Sequence, residues 1–166
     1  MTDTTGQPAG PHQTLGDESF MSAADLRGYM DKIALAKMNE AVEAMDHARR
    51  AKEELAKTLA QPIDLTPQKL HEMAEALQVK MRAAAERGET EIMVMRFPNT
   101  LCTDHGRAIN NAEEGWPDTL TGRPRQAYEL WRDHLRAAGY RLSALIVEWP
   151  NDMPGDVGMY LTWGKK

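Results

Sequence analysis

The sequence predicts an α+β protein: an N-terminal helical hairpin followed by a small β-α-β-β mixed sheet with one packed helix. Three observations carry that reading. Apolar residues recur at helical steps from residue 22 to residue 87. At Glu89 the period changes from 3.6 to 2. Beyond Pro98 a single helical pattern, over 124–138, stands between strand-like runs.

Residues 1–20 are rich in Thr, Gly, Pro, Gln and Asp, and carry Asp3, Asp17 and Glu18 without Lys or Arg. They hold too little apolar surface to offset the entropy of ordering, so they read as a disordered tail. No basic segment leading into an apolar one is present, so this is not a secretory signal.

The arm is expected over 21–88. Ser22 with Asp25 has the outline of a capping box. Leu26, Met30, Ile33, Met38, Val42, Met45, Leu55 and Leu59 then form an apolar stripe that ends before Pro62. It follows a 3.6 period better than a strict heptad, so a long two-stranded coiled coil is not demanded. Thr66 is a natural N-cap with Pro67 at the first helical position. Leu70, Met73, Leu77, Met81 and Ala84 line one face of this second helix, and Gly88 stops it. A short loop between two helices predicts an antiparallel hairpin, which can cover one face of the sheet.

The compact domain is expected over 89–166. Residues 91–97 are apolar on both faces, as in a strand covered on two sides. Residues 99–123 read as irregular, with one helical turn near 106–111. Pro124 opens a helix whose inner face is Ala127, Tyr128, Trp131 and Leu135, closed by Gly139. Residues 142–149 form a second strand. Val157, Met159, Leu161 and Trp163 alternate with smaller or polar residues in a third, with one buried face. The strand–helix–strand unit predicts a parallel pair, and the last two strands an antiparallel hairpin.

The formal net charge is −5 over 166 residues, and residues 21–88 hold eleven acids and eleven bases. No segment has the basic excess that binding a phosphate backbone needs, so nucleic acid is not expected as a partner. No apolar run approaches the roughly 20 residues of a membrane span, so a membrane is not expected either. With one cysteine, no intramolecular disulfide can form, which fits a reducing compartment; the expected location is cytoplasmic.

The densest gathering of reactive side chains is Cys102, Asp104, His105 and Arg107, just beyond a strand end. A thiolate needs a base, and His105 is three residues from Cys102. No recognisable nucleophile motif or oxyanion hole accompanies them, so Cys102 reads as a small buried hydrophobe, Asp104 as a cap and Arg107 as an ion-pair partner. Zinc accepts such ligand types, but the paired spacing of zinc sites is missing, and neither a metal nor another cofactor is expected. The carboxylates Glu148, Asp152 and Asp156 around the 151–155 turn read as turn chemistry more readily than as an acid–base pair. Arg123 and Arg125, at the start of the third helix, are placed to meet an anion beside free backbone N–H groups. Trp116 and Trp149, in a loop and at a strand end, are the aromatics available to a ligand. With Arg107 these make up the expected ligand-binding set.

Three function classes follow, and the reading leans away from an enzyme. The first is a non-catalytic interaction or regulatory protein that self-associates, or docks on a protein partner, through its amphipathic helices. The second is a small-molecule or anion-binding domain using the 99–125 loop and the arm–sheet cleft. The third is an enzyme centred on Cys102, Asp104 and His105.

Overall fold

A computed structural model describes residues 12–15 and 18–165. The chain divides into two compact units, residues 1–50 and 51–166, and the division falls inside the first long helix. The protein is α+β, with long helices and a three-stranded sheet.

In the first unit, β1 (His12–Leu15) pairs antiparallel with β2 (Glu18–Met21), setting Leu15 opposite Glu18. Backbone expected to belong to a disordered tail is therefore paired here, while residues 1–11, 16 and 17 lie outside the described ones. Helix α1 (Ala23–Ala60) starts where its cap predicts: the Asp25 N–H donates to the Ser22 hydroxyl at 3.0 Å. No residue of α1 is buried.

In the second unit, α2 (Pro67–Glu86) opens on Thr66, whose hydroxyl accepts from the Lys69 N–H at 3.1 Å, and closes at Gly88 with φ +79°. Strand β3 (Glu91–Phe97) follows, and short helix α3 (Arg107–Asn110) lies within the long connection. Helix α4 (Gly122–Leu130) continues into a π turn, Trp131–Leu135, in which the Arg136 N–H donates to the Trp131 carbonyl five residues back. The expected single helix over 124–138 is thus three successive conformations. Strands β4 (Arg141–Ile146) and β5 (Val157–Thr162) complete the sheet.

The sheet order is β3-β5-β4, with β5 antiparallel to both neighbours. The sheet is therefore antiparallel and not mixed. The first and second strands do run the same way, as the crossover requires, but β5 inserts between them. This central place explains why Val157, Gly158 and Met159 are buried in succession where one buried face was expected. Between Met93 and Met95 the register slips, leaving Val94 as the extra residue of a bulge.

Within residues 51–166, α2 packs on β3, whereas Leu59 of α1 packs on the core. Gly122, at φ +59°, is required there: a Cβ would meet the Leu59 carbonyl oxygen at 2.5 Å. That core joins Phe97, Ile146, Val157 and Met159 of the sheet to Leu101, Cys102, Ile109 and Leu120. Half of it comes from the 99–121 connection, which is internal scaffold and not a surface loop. No helix among the described residues is long and apolar enough to cross a membrane.

Candidate functional site

The reactive cluster folds around backbone. Cys102 is 1% exposed, and it bridges to Leu120 as an isolated antiparallel pair. Burial pushes its thiol up to about 11, and the Asp104 carboxylate adds in the same direction, so the sulfur is protonated at neutral pH. Asp104 accepts from the Gly106 N–H at 3.0 Å and the Ala108 N–H at 2.8 Å, fixing the turn into α3. His105 has φ +56° and is exposed, so its ring looks to solvent while its N–H bonds the Cys102 carbonyl. No hydrogen bond joins the His105 ring to the Cys102 sulfur among the described residues. The three neighbours in sequence are thus not assembled into a thiolate and base, and no group of three or more His, Cys, Asp or Glu among the described residues can hold a metal ion.

The expected ligand-binding residues part company. Arg107 is exposed on α3, and Trp149 is 51% exposed after β4. Trp116 packs on the core and meets the Tyr128 ring edge-on at 6.1 Å. Arg125 donates to Glu129 at 3.0 Å and to the Pro117 carbonyl at 2.8 Å, and lies over the Tyr128 ring. Its charge is spent on holding the 116–119 turn to α4. Arg123 differs: its Nε donates to the Gln61 carbonyl at 3.1 Å, and the residue lines a cavity.

That cavity has a volume of about 610 Å³ and a mostly apolar lining. Helix α2 forms one wall through Leu70, Met73 and Leu77. The sheet forms another through Ile92, Leu142 and Leu161, and the bulge brings the consecutive Val94 and Met95 to the same wall. The third wall is α4 with its π turn. The Gln126 side chain clamps the connector before α2, accepting from the Ile63 N–H at 3.0 Å and donating to the Ile63 carbonyl at 2.8 Å. The Trp131 indole N–H donates to the Tyr140 carbonyl at 3.0 Å and so anchors the π turn to β4. The polar members of the lining are His71, Lys80, Arg123, Gln126 and His134, with no Asp or Glu.

The Glu148 and Asp156 carboxylates do come together, but with cations between them. Lys52 reaches Glu148 at 3.3 Å and Asp156 at 3.1 Å, while Arg96 reaches Asp156 at 3.0 Å and Glu148 at 3.4 Å. Burial alone would raise the Asp156 carboxyl; Arg96 and Lys52 outweigh it and hold the group below the usual carboxylate range. The cluster is a neutral ion-pair network that ties the end of α1 to β3 and the β4–β5 connection.

Sequence reasoning named Arg123 and a cleft between the helical arm and the sheet, and none of the cavity's other lining residues as ligand contacts. The available signal was on α2, whose apolar residues outnumber what one small sheet can cover, and in the scarcity of acids on the faces that meet there. No family model matches the chain, and no curated protein or solved structure shows significant similarity to it.

Proposed function

We propose that the protein is a non-catalytic cytoplasmic interaction protein that pairs with a second copy of itself through α1. The observation that carries this is the exposure of the α1 stripe: Leu26, Tyr29, Met30, Ile33, Leu35, Met38, Val42 and Met45 are 37–73% exposed. Leu26, Tyr29, Met30 and Ile33 lie on one side of the helix and Leu35, Met38, Val42 and Met45 on another, and exposed apolar residues grouped in this way mark an association surface. Residues 26–45 span about 28 Å of helix, long enough to seat a partner helix.

The partner's identity rests on self-complementarity. From Asp31 to Arg49 one face runs Asp31, Leu35, Met38, Val42, Met45, Arg49, at alternating steps of four and three. This run is symmetric about Glu40. Two copies laid antiparallel across that point set Leu35 against Met45, Met38 against Val42, and Asp31 against Arg49. Lys32 then meets Asp46 on one flank, and Ala34 meets Ala48 on the other, where small side chains permit close approach. Residues 21–50 hold five acids and five bases, a balance that suits a protein partner better than a polyanion or an anionic membrane. The lone buried, protonated Cys102 suits a reducing compartment.

Sedimentation equilibrium tests the reading. The protein is expected to sediment as a dimer at micromolar concentration. Val42→Glu should weaken association at least about tenfold by placing two carboxylates in the seam. Asp31→Arg should weaken it less, and the double variant Asp31→Arg/Arg49→Asp should restore it. A monomer at all accessible concentrations, or a dimer indifferent to Val42→Glu, would overturn the proposal.

A further inference from the structure

The cavity behind α2 has a chemistry that α1 pairing does not use. Helix α2 packs on β3, yet an apolar cavity remains between that helix, the sheet and α4. Leu70 and Leu77 on α2, and Ile92, Val94 and Leu142 on the sheet, are each only half-buried across the gap. Met73 is 36% exposed on the same helix face. Side chains that close a core touch partners on every side, because a gap forfeits dispersion contacts from both of its walls. About 610 Å³ of apolar space left between a helix and a sheet is instead the size and lining of a small-molecule site.

The polar groups specify the molecule further. Every ionisable residue in the lining is basic: His71, Lys80, Arg123 and His134. Arg123 is partly buried, and its bond to the Gln61 carbonyl uses only Nε. Its two terminal nitrogens have no partner among the described residues, and a planar guanidinium offers them in the spacing that two carboxylate oxygens accept. Lys80 likewise makes no ion pair among the described residues. His71 pairs with Glu75 at 3.1 Å on the exposed side of α2, so it is the least available of the four. The walls are built to be held open: Gln126 pins Ile63, and the Trp131 indole pins the π turn, so the cavity is bounded by hydrogen-bonded elements on two sides. π turns inside helices recur at functional sites, and this one contributes Trp131, His134 and Leu135 to the wall.

We infer that the cavity binds an unbranched aliphatic chain ending in a single carboxylate, with the chain between α2 and the sheet and the head on the Arg123 guanidinium. Lys80, farther along α2, also lines the cavity. The site is independent of α1 pairing, since all its lining residues lie in 51–166.

Isothermal titration calorimetry on the full chain, with sodium dodecanoate below its micelle concentration, tests this. Dodecanoate is expected to bind one per chain. Its methyl ester, equal in chain but without the charge, should bind at least tenfold more weakly. Between octanoate and dodecanoate each added CH₂ should tighten binding about fourfold, the increment for burying a methylene. Arg123→Gln should bring dodecanoate down to the level of the ester, and Leu77→Trp should abolish binding by filling the cavity. Equal affinity for acid and ester, or an Arg123→Gln variant that binds dodecanoate unchanged, would overturn the assignment of the head. No binding of any chain length, or full binding by a folded Leu77→Trp variant, would overturn the site. The Val42→Glu variant should bind dodecanoate like the parent, so failure of the pairing proposal and failure of this one are read separately.

Discussion

At Cys102 the same side chain that suggests a nucleophile closes the core. A sulfur packed among Phe97, Leu101 and Leu120 loses the water that would stabilise its thiolate, and its position beside Asp104 adds a like charge. With the thiol raised to about 11, thiolate is a trace species at pH 8. Ellman's reagent at that pH is therefore expected to modify Cys102 in the folded protein at least about 100-fold more slowly than in urea. Rapid native modification would show that the 99–121 segment opens readily. The sign of the pH effect follows: a group whose folded value is raised gives its stabilisation below the unfolded value, near 8.5, and loses it as pH rises toward 11. Arg123 is the opposite case. It differs from Arg125 by two positions and by little in chemistry, yet Arg125 is consumed by Glu129 and Pro117 while Arg123 keeps two nitrogens for the cavity. Spacing alone could not separate them, because the difference lies in which carbonyl oxygens the fold brings near.

At the scale of elements, the ion network shows how a short strand end is secured. Asp156, 15% exposed, sits between Lys52 and Arg96, whose side chains are about half exposed. Its depressed carboxyl contributes stability above the unfolded value, near 3.9, and that contribution is lost as pH falls through the folded value. Asp156→Asn is expected to cost about 1 kcal/mol in urea denaturation at pH 7, the modest amount suited to partly solvated partners. The gap between parent and variant should close below pH 4, and a gap constant from pH 7 to pH 3 would show that the loss is one of packing and not of charge. The elements themselves were largely legible. Ser22, Thr66 and Gly88 mark helix ends through local hydrogen bonding, which needs no knowledge of the fold. Residues 91–97 match β3 to the residue because Pro98 stops the strand. The insertion of β5 between β3 and β4 was not legible, since alternation fixes which face a strand buries and not which neighbours it takes. The π turn was equally hidden: Trp131, His134 and Leu135 share a face in an ordinary helix as well, so the spacing of these residues does not reveal the wider turn.

For the whole molecule, the contrast between the units sets what stability can mean. Among the described residues, 51–166 hold every buried large side chain, from Phe97 to Leu161, whereas α1 contributes none. In proteins most of a helix's stability comes from packing an amphipathic face, and no residue of α1 is buried. Its order in solution is therefore expected to depend on the second copy, and hence on concentration. Hydrogen exchange read by mass spectrometry tests this directly. Peptides covering residues 26–45 should exchange slowly well above the dimer dissociation constant and at least tenfold faster well below it. Peptides covering Phe97 and residues 157–161, central in the sheet, should be indifferent to dilution. The Val42→Glu variant should show fast exchange over 26–45 at every concentration. If dilution left 26–45 protected, α1 would be stable without a partner, and its exposed stripe would need a different occupant from a second copy of the chain.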